Sequence, residues 1–231
     1  MKLVDQGMDE LLARRRAAEA AVELLPDSGI VGLGTGATTA LFIEGVARAI
    51  AQGKRLSGVA TSMQSRNQAL SLGIPMLDDV GPWEIALCVD GADEVSDELD
   101  LIKGGGGAHL REKIVNAASR VNVIIVDELK LSQRLGQRWP VPVEVATFGH
   151  MTTACHLAKW GEPVLRARDG RPCLTDGGNY IYDVRTGVID DPARLERELK
   201  MIPGVMETGL FVRRVDVLLV GSAGGVLRVD R

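Results

Sequence analysis

Ile30-Val31-Gly32-Leu33-Gly34-Thr35-Gly36-Ala37-Thr38-Thr39 is the stretch that decides how this chain folds. An apolar run of strand length ends in alternating glycines, then in threonines that open a helix-like segment running to about Ala51. Glycines permit the tight turn, threonine hydroxyls add hydrogen-bond donors, and the free N–H groups of a helix start favour an anion. No Gly-Lys-Ser/Thr follows, so this is not a Walker loop, and the Gly-x-Gly-x-x-Gly spacing of dinucleotide sites is missing. Alone, the segment suits either a single bound phosphate or a plain strand-to-helix turn capped by threonine.

Outward from this stretch, strand, loop and helix keep alternating. A helical spacing over 9–25 stops at Pro26-Asp27-Ser28-Gly29. Strands are predicted near 57–60 and 74–76, with a helix near 63–72 between them. A buried strand over 84–89 delivers Asp90 at its end, and a helix over 108–119 precedes an apolar strand at 121–126. The main body is therefore expected to be a doubly wound parallel α/β sheet. Beyond about residue 135 the pattern changes, with Pro140, Pro142 and Pro163 interrupting the chain. Short antiparallel strands are expected at 143–145, 164–168, 172–175, 180–183 and 187–189, with helices near 151–160 and 192–201. Strands at 215–220 and 226–229 then return to the first sheet. The expected division is an α/β domain of 1–135 plus 207–231 and a smaller α+β domain of 136–206 inserted before the last strands.

Composition agrees with a sheet buried on both faces. Aromatic residues are only 3% of the chain, so the core must be built from Val, Leu, Ile and Ala. A formal net charge of −4 argues against non-specific nucleic-acid binding, which depends on basic surface. Cys88, Cys155 and Cys173 are widely spaced and form no Cys-x-x-Cys pair, as expected of a reduced, cytoplasmic chain. No run approaches the ~18 uninterrupted apolar residues of a membrane span, and the N-terminus has no apolar leader-like core.

Two further segments carry chemistry. Lys103-Gly104-Gly105-Gly106-Gly107-Ala108-His109-Leu110-Arg111-Glu112-Lys113 places four consecutive glycines between a lysine and a helix-like run bearing a carboxylate. Glycine loses the most backbone freedom on folding, so four in a row point to a backbone that must approach a ligand and present N–H groups to an oxygen. Lys103 supplies a cation and Glu112 a candidate base. Apolar spacing puts Leu110, Ile114, Ala117 and Ala118 on the buried face of that helix and leaves Glu112 outside it. A solvated Arg111-Glu112-Lys113 face is the competing reading. Val89-Asp90-Gly91-Ala92-Asp93-Glu94 sets two carboxylates three residues apart at a strand end, where open α/β sheets bind ligands. They suit the hydroxyl of a small polar ligand, a divalent metal, or an Asp-rich turn; with no histidine nearby, hydroxyl binding is favoured over a metal. Lys130 follows the next strand and reads either as a second cation on the same sheet edge or as a surface lysine. His109 reads as a partly exposed bystander.

Taken in order, these motifs make the chain resemble the A-type ribose-5-phosphate isomerases. Ala60-Thr61-Ser62, Pro142-Val143-Glu144-Val145, Thr175-Asp176-Gly177-Gly178-Asn179 and the stretch from Ile202-Pro203-Gly204 to Gly209-Leu210-Phe211 extend the match over almost the whole sequence. The resemblance implies a Rossmann-like α/β domain carrying a smaller α+β domain. It implies interconversion of D-ribose 5-phosphate and D-ribulose 5-phosphate without metal or organic cofactor, in dimers or tetramers. Carried over by motif, Glu112 is the base, Asp90 and Asp93 (with Gly91 and Ala92 between them) bind sugar hydroxyls, and Lys103 with the amides of Gly104, Gly105 and Gly106 stabilises an oxyanion. Thr35, Gly36, Ala37, Thr38 and Lys130 hold the phosphate, with Arg14 a further candidate. Ala37 departs from the serine usual in the family, removing one hydroxyl from the phosphate loop; Leu129, Gly107 and Gly177 are further departures. A sugar-phosphate sensor on the same fold, or a deaminase or lactonase, are the alternative classes.

Overall fold

The computed structural model describes residues 2–231, with side chains from Asp9 onward. Helix α1 (Lys2–Val22) leads into strand β1 (Ser28–Leu33), helix α2 (Ala37–Ala51), strand β2 (Arg55–Ala60) and helix α3 (Met63–Ser71). Strand β3 (Ile85–Asp90) precedes two short strands, β4 (Glu94–Val95) and β5 (Leu101–Ile102), then helix α4 (His109–Ala117) and strand β6 (Asn122–Asp127). Next come β7 (Val141–Val145), α5 (His150–Leu157), β8 (Glu162–Leu165), β9 (Ala167–Arg168) and β10 (Arg171–Pro172). The remaining elements are β11 (Tyr180–Arg185), α6 (Pro192–Lys200), β12 (Val205–Thr208), β13 (Leu210–Phe211), β14 (Val217–Ser222) and β15 (Gly225–Asp230).

These elements form two compact units. The first comprises Met1–Gly91, Arg111–Lys130 and Arg214–Arg231. Its six-stranded sheet has the order β15-β14-β6-β3-β1-β2, and every neighbouring pair is parallel except β14 with β15. This is the doubly wound α/β architecture. The chain leaves β1 toward β2 on one side, while β3 and β6 lie on the other, so the winding reverses between β1 and β3. In such sheets ligands bind outside the carboxyl ends of the strands at the reversal.

Apolar side chains close this unit. Phe42 and Ile43 of α2 are fully buried with Val31 and Leu33 of β1 and Val89 of β3. Truncating a buried phenylalanine to alanine costs about 3–5 kcal/mol, so Phe42 is one of the largest single contributors to this core. The alanines of α1 let the helix lie directly on the sheet. A Cβ on Gly221 of β14 would fall 1.9 Å from the Ala13 carbonyl oxygen, so only glycine fits there.

The second unit comprises Ala92–Leu110 and Leu131–Arg213. A four-stranded antiparallel sheet, β12-β7-β11-β8, buries Val141, Val143 and Val145 against Leu157, Val184 and Leu199. A three-stranded sheet, β13-β5-β4, joins it within the unit. Residues 92–110, which the sequence reading assigned to the α/β domain, group here because β5 pairs with β13 and Lys103 N donates to Gly209 O at 2.8 Å. Buried Glu94 ties the same segment to 131–138 by accepting from the amides of Gly136 and Arg138. Two expected strands are not formed. At 74–76 there is only a bridge from Met76 to Gly58, and at 187–189 the apolar signal is a single buried Ile189 whose amide bonds Leu135 O.

Candidate active site

The first unit contributes a loop and a carboxylate at the β1–β3 reversal. Leu33 is paired with Val89, and Gly34 N donates to Val89 O at 3.0 Å, so the two strands part just where Thr35 and Asp90 begin. Asp90 is buried, and its Oδ1 accepts the amides of Thr35 at 3.0 Å and Gly91 at 2.8 Å. A Cβ on Gly34 would sit 2.2 Å from Asp90 Oδ1, which explains that glycine. Gly36 has φ 128°, open to glycine alone, and starts α2 without a side-chain cap. The first N–H groups of α2 therefore lack intrahelical partners and a side-chain acceptor, as an anion site requires.

The threonines divide the work. Thr35 Oγ1 lies 2.7 Å from Thr61 Oγ1 and 2.8 Å from Ser62 Oγ, knitting the loop to the end of β2. Thr39 is buried and returns its hydroxyl to Gly36 O. Thr38 is half-buried at the first turn, beside exposed Gly36 and Ala37. Lys130 is half-buried at the end of a 3-10 turn that follows β6. Arg14 approaches Asp127 at the end of β6, with Nε 3.4 Å from Oδ2, and also pairs with Glu10.

Glu112 lies in the first turn of α4, where the helix start favours a carboxylate. It is only 4% exposed. The buried face of this helix is not the expected one. Lys113, Val115 and Asn116 are buried with Glu112, while Ile114 is 50% exposed and Ala117 is also exposed. Val115 packs with Val59, Ile85 and Cys88, and Asn116 Nδ2 donates to Arg214 O, so a mixed polar face turns inward. Apolar spacing points to the wrong side because the polar residues that must be buried outnumber the apolar ones.

In the second unit the glycine run forms a turn that grips a carboxylate. Asp93 N donates to Ile102 O, and Asp93 Oδ2 accepts the Gly105 amide at 2.7 Å. Gly104 has φ 109°, and a Cβ there would fall 2.7 Å from His109 Nδ1; Gly107 has φ 79°. His109 is fully buried rather than a partly exposed bystander. Gly106 is exposed and Ala92 half-buried. Lys103 is buried, with Nζ 5.5 Å from the centroid of the Phe211 ring. A cation over an aromatic face at such a distance gains about 0.5–2 kcal/mol. The carbonyls of Gly104 and Gly105 both accept from Arg166 Nη1, at 2.8 and 3.1 Å.

Sequence reasoning did not single out Ser65, whose hydroxyl donates to Gly34 O at 2.7 Å in the first unit, or Arg166 and Asp183, which pair in the second. Thr61 and Ser62 were visible as a motif without a role. Arg166 sits in Leu165-Arg166-Ala167-Arg168, a stretch that reads as ordinary basic surface. Among the described residues no group of three or more His, Cys, Asp or Glu side chains is placed to hold a metal ion. No helix among them is long and apolar enough to cross a membrane.

The mostly parallel sheet of the first unit, with its winding reversed between β1 and β3, defines a doubly wound α/β protein. The sequence model described as ribose 5-phosphate isomerase A (phosphoriboisomerase A) matches residues 57–225. A ribose-5-phosphate isomerase A of Gloeobacter violaceus is 47% identical over 95% of this chain and 96% of its own. The structure of ribose 5-phosphate isomerase A from Methanocaldococcus jannaschii superposes with TM-score 0.90 and 38% identity over 95% of this chain and 98% of that one. A D-ribose-5-phosphate isomerase in complex with phospho-erythronic acid gives TM-score 0.90 at 36% identity, over 95% and 98%. The chain belongs to the ribose 5-phosphate isomerase A family, whose members are isomerases.

Proposed function

We propose that the protein interconverts D-ribose 5-phosphate and D-ribulose 5-phosphate by moving one proton between C1 and C2 through an enediolate. Glu112 takes the proton from one carbon and returns it to the other. Asp90 and Asp93 bind sugar hydroxyls, assist ring opening and pass the proton between O1 and O2. Lys103, with the amides of Gly104 and Gly106, stabilises the developing oxyanion, while the Gly105 amide holds Asp93 in place. The amides of Gly36, Ala37 and Thr38, the Thr38 hydroxyl and Lys130 hold the phosphate. Thr35 links that loop to Asp90 through its own amide. The enzyme acts in the cytoplasm as a homodimer or homotetramer, in the non-oxidative branch of the pentose phosphate pathway, without metal or organic cofactor.

One observation carries this reading: backbone amides pin both hydroxyl-binding carboxylates, Asp90 through Thr35 and Gly91, and Asp93 through Gly105. A carboxylate already held in one orientation loses little further freedom when a hydroxyl binds, which is how positioning lowers a barrier. The ligand of the phospho-erythronic acid complex supports the same reading. It joins a phosphate to a planar carboxylate, the charge pattern of a phosphorylated enediolate.

The test is incubation of the purified protein with ribose 5-phosphate in EDTA while ketose is measured. Steady ketose formation supports the isomerase and removes any need for a loosely bound metal. Tight binding of ribose 5-phosphate without turnover would favour a sugar-phosphate sensor instead.

A further inference from the structure

We infer that Arg166 is a positioning residue that aims the amides of the glycine run, and through them the Asp93 carboxylate; this rests on the isomerase reading above. Its own backbone is fixed, with Arg166 N donating to Ile181 O at 2.8 Å and Arg166 O accepting from Cys173 N at 2.9 Å. Asp183 of β11 orients the guanidinium with two parallel bonds, Nε to Oδ2 at 2.9 Å and Nη2 to Oδ1 at 2.5 Å. The third nitrogen, Nη1, then donates to Gly104 O and Gly105 O. All three guanidinium nitrogens are used, which suits the rigid planar fork of arginine and not the single ammonium of lysine.

Peptide planarity turns this grip into aim. Gly104 C=O and Gly105 N–H belong to one trans peptide plane and point in opposite directions. Holding Gly104 O against Arg166 therefore directs Gly105 N–H away from it, and that N–H meets Asp93 Oδ2 at 2.7 Å. Gly105 C=O and Gly106 N–H are related in the same way, so the second bond directs the Gly106 amide to the side where the oxyanion forms. A run of four glycines has little conformational preference of its own, and two anchored carbonyls remove the freedom that would blur this aim. Hydrogen bonds to the carbonyls also polarise both peptides and strengthen their N–H groups as donors.

The test compares wild type with Arg166→Lys and Arg166→Met in steady-state kinetics, and by hydrogen exchange of the peptide covering 103–108 without substrate. Because the aimed groups act on the reacting oxygens, kcat is expected to fall by at least about tenfold while KM stays within about threefold, with lysine giving little rescue. Exchange at 103–108 is expected to quicken by about tenfold or more, with β7 and β11 unchanged. Should either variant fail to fold, Asp183→Asn, which removes the orienting charge and keeps an acceptor, carries the same expectations. A kcat within about twofold of wild type in a folded variant, or unchanged exchange at 103–108, overturns the inference. The exchange measurement needs no substrate, so it separates failure of this inference from failure of the isomerase reading.

Discussion

The Gly105 amide donates to Asp93 Oδ2 at 2.7 Å across a chain separation of 12 residues. The glycine run thus holds a carboxylate as well as offering amides to a ligand. A Cβ on Gly105 would meet Asp93 Oδ1 at 2.7 Å and Oδ2 at 3.0 Å, so the carboxylate must rotate away. Gly105 is exposed and its φ is not in the left-handed region, so the fold tolerates alanine there. Gly105→Ala is expected to lower kcat by at least tenfold, about 1.4 kcal/mol of barrier, while the melting temperature moves by only a few degrees. Kinetics and thermal unfolding on one preparation check both halves.

Glu112→Gln keeps the size and the hydrogen-bonding shape of a buried side chain while removing its basicity. Turnover is expected to fall by about 10²–10⁴-fold with KM little changed, the loss typical of a missing general base. Ribose 5-phosphate should still protect the variant against thermal unfolding. If the variant kept more than about a tenth of wild-type kcat, a loss below about 1.4 kcal/mol, Glu112 could not be the base.

Ala37 lies exposed at the start of α2, where the first amides lack side-chain partners. Ala37→Ser adds one hydroxyl toward the proposed phosphate. One neutral hydrogen bond contributes about 0.5–1.5 kcal/mol, so KM should fall by roughly two- to tenfold. The phosphate takes no part in the proton transfer, and kcat should stay within about twofold. A KM that does not fall argues against phosphate binding at Ala37.

Tyr182 gives a pH prediction. Its hydroxyl lies 2.7 Å from His150 Nδ1. Burial, with smaller effects from Cys155 and Tyr180, raises its phenol above the ordinary value of 10.0. A raised phenol favours the neutral form in the fold, so its stabilising contribution is complete below pH 10 and is lost as pH rises through the folded-state value. The chain has two tyrosines, so absorbance near 295 nm resolves them. A late ionisation step that disappears in Tyr182→Phe is the expected result; a single step at the ordinary value would contradict it.

Local signals carried much of the architecture. The apolar run of β1, its glycines and the helix that follows are written in adjacent residues, and so is the strand that delivers Asp90. The two-residue strands β4, β5 and β13 have no periodicity to read, so the grouping of 92–110 with the second unit emerged only from pairing with residues near 210. On α4 the apolar spacing selected the wrong face, because Glu112, Lys113 and Asn116 are buried as polar groups.

By itself, the sequence determined the alternation that builds the parallel sheet, the family, and which acids and lysine are available for chemistry. Tertiary structure alone decided what orients them: Thr35 and Gly91 on Asp90, Gly105 on Asp93, and Arg166 on the carbonyls of Gly104 and Gly105. Arg166 and Gly104 are 62 positions apart in the chain. Their meeting depends on sheet register and on satisfying buried donors and acceptors, and neither is encoded in the spacing of neighbouring residues.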